Sequence, residues 1–97
     1  MAYDPAAIDT TLAAVAGDDP ELIAELRKAF VASALSGLAA MDVADDAGAW
    51  RAATARLKGL AASFGAVRLM ALATEAGTAD PADPAVLRKL RRAVARL

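Results

Sequence analysis

The residues best suited to chemistry lie close together, in Arg-Ala-Ala-Thr-Ala-Arg-Leu-Lys-Gly at positions 51–59. Three cations, Arg51, Arg56 and Lys58, surround Ala55 and lead to Gly59. Cations so placed can steer or hold an anionic group. Making or breaking a bond needs a nucleophile, and the chain contains neither histidine nor cysteine. A Ser/His/Asp or Cys/His arrangement is therefore excluded. Thr54 is expected to point inward. Ser63 has no base to activate it. No glycine-rich phosphate loop is present. Asp42, Asp45 and Asp46 crowd together, but Ala44, Ala47 and Ala53 stand where a calcium loop needs an acid, a glycine and a closing glutamate. These acids read better as helix caps. No metal and no cofactor is expected.

The elements that position these residues are helical. The chain has 97 residues, enough for one core and one domain over 1–97. It is rich in alanine and leucine, poor in aromatic residues, and has no sustained period-two alternation. Without cysteine, disulfides and thiolate metal sites are excluded. No signal peptide and no membrane-spanning run is seen, so a cytoplasmic location is expected.

The net charge of −1 is unevenly divided. Acids dominate residues 1–46, where only Arg27 and Lys28 oppose them; bases dominate residues 47–97. The two halves should attract in the fold. The basic half lacks interleaved aromatics, so a nucleic-acid partner is not expected. Nor is a membrane partner.

Three Asp-Pro steps, Asp4-Pro5, Asp19-Pro20 and Asp83-Pro84, pair an N-cap with proline at the first helical position. The first helix is expected over 5–15, burying Ile8, Leu12 and Val15, and ending at Gly17-Asp18. The second runs over 20–41, with Leu22, Leu26, Phe30, Ser33 and Gly37 in helical spacing and Ile23, Val31, Leu35 and Leu38 widening the arc. Such a helix is central or partly covered by a partner. The third runs from Asp45 or Asp46 to Phe64, with a break at Gly65. The fourth covers 67–76, with Leu69, Leu72 and Ala73 inward and Gly77 as its C′ residue. The last runs from Pro84 to the end, with Val86, Leu87, Leu90, Val94 and Leu97 on one face; Arg88, Lys89, Arg91, Arg92 and Arg96 lean toward its C-terminal end and read as a solvated face, with partner docking or an anionic surface as the alternative. Short connections imply antiparallel neighbours. The expected fold is all-α: an antiparallel four-helix up-and-down bundle over 20–97, with a short extra N-terminal helix over 1–17.

At about 100° per residue, the third helix has two unlike faces. Trp50, Ala53, Thr54, Leu57, Leu60, Ala61 and Phe64 form the core face. Gly48, Ala52, Ala55, Gly59, Ala62 and Ala66 lie opposite. A face left in water usually carries long polar side chains, whereas this one is alanine and glycine. Gly59 inside a helix costs about 1 kcal/mol relative to alanine. Alanine bias accounts for such a stripe; so does a partner that approaches the backbone closely. Arg51 and Lys58 on one side and Arg56 on the other suit an acidic concave partner.

The run Ala55-Arg56-Leu57-Lys58-Gly59, followed by small residues and the Gly65-Ala66 step, resembles the signature of histidine-containing phosphotransfer (HPt) domains, His-x-Leu-Lys-Gly. The resemblance is ungapped over about residues 45–77. It reaches more loosely to Gly-Asp-Asp-Pro-Glu-Leu at 17–22. It implies a four-helix bundle whose third helix meets the acidic pocket of a receiver domain. Lys58 then matches the lysine that helps hold the phosphate, and Gly59 the glycine that clears room for the receiver. Two departures matter. Ala55 stands where the phosphorylated histidine is expected, and Leu60 replaces a small residue. The resemblance thus implies a monomeric, non-catalytic domain of two-component signalling. Its expected partner, a receiver domain or a histidine kinase, would be met by Arg51, Ala52, Ala55, Arg56, Lys58, Gly59 and Ala62. Two alternatives stay open. Ala55 replaces a native histidine of a working phosphotransfer protein, or the chain is a helical interaction or self-association domain unrelated to phosphorelay.

Overall fold

The computed structural model describes residues 5–17 and 19–97; Asp4, expected as a cap, and Asp18, expected in the break after the first helix, lie outside them. Five helices follow in order: α1 Pro5–Ala16, α2 Pro20–Asp42, α3 Ala47–Ser63, α4 Val67–Ala76 and α5 Pro84–Ala95. No strand occurs among the described residues. The fold is all-α.

The helix starts follow from local chemistry. Asp19 Oδ1 accepts from the backbone N–H of Glu21 and Leu22, at 3.0 and 3.4 Å. Asp46 Oδ1 accepts from the Ala49 N–H at 2.7 Å. Asp83 Oδ1 accepts from Ala85 and Val86, at 2.9 and 3.4 Å. Each satisfies donors that an open helix end would leave unpaired. Gly17 and Gly65 both turn the chain with left-handed backbone, at φ +68° and +69°. Side chains with a Cβ rarely adopt that region, which is why glycine punctuates there.

Packing links α2 to α3 and α5, α3 to α4, α4 to α5, and α1 to α2. One hydrophobic cluster draws on all five helices, with Ile8, Phe30, Trp50, Leu69 and Leu90 among its fully buried members. Trp50 is its largest side chain, and its indole N–H donates to the Ala76 carbonyl at 2.7 Å. At the other end of α3, Phe64 stacks on Phe30 with ring centroids 4.6 Å apart. The acidic and basic halves meet where Arg91 Nη2 donates to Asp42 Oδ1 at 2.7 Å. The pair is half-exposed, so it contributes at most about 1 kcal/mol.

Several expectations are corrected. Val15 is exposed at 75%, whereas Ile8 and Leu12 of the same helix are buried. On α2 the buried stripe is Phe30, Ala34, Gly37, Leu38 and Met41. Ser33 turns out to solvent, and Leu22 and Leu35 remain 45% and 54% exposed, because the apolar arc is wider than the helices packed on it. Phe64 is only partly buried, since α3 ends one residue before it. Gly77 does close α4, as its C-cap and with right-handed backbone at φ −61°, its N–H donating to the Ala73 carbonyl at 3.1 Å. A Cβ there would lie 3.3 Å from the Thr74 carbonyl oxygen and 3.6 Å from Thr54 Oγ1. The tight approach is to the carbonyl of its own helix end, while the contact with Thr54 on α3 is at ordinary van der Waals distance.

Candidate functional site

The site is built on α3. Its inner face buries Trp50, Ala53, Thr54, Leu57 and Ala61, which fixes the rotation of the helix. The opposite face is thereby set outward. Ala52, Ala55, Gly59 and Ala62 are all exposed, with Gly48 in line at the start of the helix. Ala55 stands at mid-helix. Ala66 departs from the expected stripe. It is 1% exposed, lies beyond α3 and forms the N-cap of α4, because the turn at Gly65 swings it into the core.

Gly59 is the residue that the fold explains least. Nothing lies within 4 Å of where its Cβ would be. Neither packing nor a positive φ requires glycine there, so its helix cost of about 1 kcal/mol has no internal compensation.

Arg51, Arg56 and Lys58 are exposed beside this stripe. Among the described residues, no carboxylate forms an ion pair with any of the three. Their charge is free for an external anion. On one side the stripe opens into a shallow groove of about 250 Å³ between α3 and α4. Arg51, Ala55 and Lys58 contribute from α3, and Ala73, Thr74 and Gly77 from the α4 side. A single-helix reading of the sequence missed this second wall. Its signal was Thr74, a polar residue directly after the inward-facing Ala73 on a helix joined to α3 by a short turn.

The hydroxyls near the site are engaged locally. Thr54 Oγ1 donates to the Arg51 carbonyl, Ser63 Oγ to the Gly59 carbonyl and Thr74 Oγ1 to the Met70 carbonyl, each at 2.9 Å. Each bonds back to its own helix, and none is paired with a base. The arrangement can hold and orient an anionic partner against a smooth helix face. No cluster of metal-ligating side chains is found among the described residues. Nor is any helix among them long and apolar enough to cross a membrane.

No protein-family model matches the chain, and neither does any curated protein or solved structure.

Proposed function

We propose that this chain is an HPt-like domain of two-component signalling that docks a receiver domain or a histidine kinase without accepting phosphate. It would serve as an adaptor, competitor or inhibitor, working as a monomer in the cytoplasm. The observation that carries this reading is the exposure of Ala55 at the middle of α3, beside an open Gly59 and unpaired Lys58. A phosphotransfer domain presents its histidine at such a position. Here the same place offers a methyl group, which has no lone pair with which to attack phosphorus. The mutual packing of α2, α3, α4 and α5 supports an antiparallel four-helix up-and-down bundle, with α1 appended to α2.

The docking face is the stripe of Ala52, Ala55, Gly59 and Ala62, flanked by Arg51, Arg56 and Lys58. Small side chains let a partner's loops approach the α3 backbone, and the cations steer an acidic pocket onto it. A buried Ala55 would have favoured a domain unrelated to phosphorelay; its exposure is what docking through this face requires.

Charge and bulk on the stripe should abolish docking while sparing the fold. Gly59→Glu is the sharper variant. The space at Gly59 is open, and glutamate favours helix over glycine by somewhat less than 1 kcal/mol. The variant should therefore melt at or above the parent temperature, yet bind an interacting receiver at least about tenfold more weakly through clash and repulsion. Ala55→Glu should weaken docking alike while melting slightly below the parent, since glutamate forms helix less well than alanine. Calorimetric titration with the receiver, paired with thermal melts, makes the comparison. Unchanged binding in both variants would place the docking surface elsewhere.

A further inference from the structure

A second feature lies on the side of the molecule formed by α4 and α5. Arg68 of α4 and Lys89, Arg92 and Arg96 of the α5 segment line one recess of about 130 Å³, floored by Leu72 and Ala93. Lys89 has a long contact of 3.8 Å to Glu75. Among the described residues, Arg68, Arg92 and Arg96 have no carboxylate partner.

Part of this clustering has a local explanation. Arg92 and Arg96 sit at the C-terminal end of α5, where positive charge complements the helix dipole. Arg68 has no such excuse. It stands in the first turn of α4, the positive end of that helix, whose N-cap Ala66 offers no side-chain bond. The spacing of Lys89, Arg92 and Arg96 puts them on one face of α5, so their charges repel one another, and Arg68 adds a fourth. Four cations around one recess, three of them without a carboxylate partner among the described residues, repel one another, and an entering anion would relieve that repulsion. The recess is far smaller than the roughly 300–1,000 Å³ of a drug-sized pocket. It suits a compact, multiply charged anion, and guanidinium forks match phosphate oxygens in geometry.

We infer that this recess binds a phosphate-class anion, held by Arg68, Arg92 and Arg96 with Lys89 at the edge. It is separate from the docking face: Arg51, Arg56 and Lys58 take no part in it, and the inference holds with or without a receiver partner.

The test uses the full chain in chloride buffer at fixed ionic strength, titrated with inorganic phosphate and pyrophosphate while the unfolding midpoint is followed. Fixed ionic strength and low millimolar anion keep general salting effects small. A second arm uses phosphatidylcholine vesicles with and without phosphatidic acid, to separate a free phosphate from one on a lipid. The charge-neutralising pair Arg68→Gln/Arg92→Gln is compared with Lys28→Gln/Arg88→Gln, which removes equal charge outside the recess and outside the docking face. The parent and the control pair should show a saturable rise in midpoint with pyrophosphate. The recess pair should bind about tenfold more weakly or worse. Without anion it should melt no lower than the parent, because repulsion is relieved. Binding only to phosphatidic acid vesicles, lost in the recess pair, would assign the same recess to lipid-borne phosphate. Equal responses in all three proteins, or no saturable response to any of these probes, would overturn the inference.

Discussion

Trp50→Ala should come close to unfolding the domain. Trp50 is 1% exposed and is the largest side chain in the core. Its removal should cost about 3–5 kcal/mol, in a domain whose total stability is of the order of 5–15 kcal/mol. The melting midpoint should fall by roughly 15–30 °C, read by circular dichroism. Trp50→Phe separates packing from hydrogen bonding. It keeps a ring but loses the N–H that donates to the Ala76 carbonyl, so it should cost about 1–2 kcal/mol. That carbonyl also accepts from the Ala79 N–H at 3.1 Å, which limits the loss. Phe64→Ala should cost less than Trp50→Ala, about 2–3 kcal/mol, because its ring is only partly buried. A near-parental midpoint for Trp50→Ala would mean that α3 is rotated, and the outer stripe with it.

The second large effect is a gain of activity. The parent should take up no acid-labile phosphate from any phosphorylated receiver or kinase. Ala55→His should place an imidazole on the exposed stripe, at the edge of the α3–α4 groove that Arg51 and Lys58 also line. If the scaffold descends from a working phosphotransfer domain, the supporting charges are already in position. The imidazole nitrogen would then attack the aspartyl phosphate of a receiver. A P–N bond forms, the P–O bond to the carboxylate breaks, and the receiver's aspartate leaves as carboxylate. Labelling should rise from none toward stoichiometric, and Lys58→Ala in that background should slow it. Ala55→Gln, which has bulk but no ring nitrogen, should stay unlabelled. If the histidine variant is not labelled by any receiver that measurably binds it, more than the histidine has been lost, and the domain is a pure binding module.

Much of this was legible in the sequence because it is local. An Asp-Pro step writes a helix start, and Asp19 and Asp83 cap as their types require. Gly17 and Gly65 turn the chain where their freedom is needed. The two faces of α3 follow from a 3.6-residue period, and its inner face is buried as that period demands. What the sequence did not disclose is set between elements. Ala66 was placed on the outer stripe by continuing the α3 angle past Gly65, where the helix had already ended. Gly77 ends α4 as its type suggests, but with right-handed backbone, which residue type does not reveal. The groove wall from Ala73 and Thr74, and the meeting of Arg68 with Arg92 and Arg96, likewise join segments that no single-helix pattern connects. Leu22 and Leu35 belong to an apolar arc that the sequence reads as central or partner-covered, and the helices of this chain cover only part of it.

The most direct test of the central claim maps where a receiver touches the domain. Amide chemical shifts of the labelled chain should be followed as receiver domains and kinases from the same organism are added. The account predicts that the strongest perturbations fall on Arg51, Ala52, Ala55, Lys58, Gly59 and Ala62, and spread into Ala73 and Thr74 across the groove. Perturbations centred instead on α1 and the exposed side of α2, with the α3 stripe silent, would contradict it.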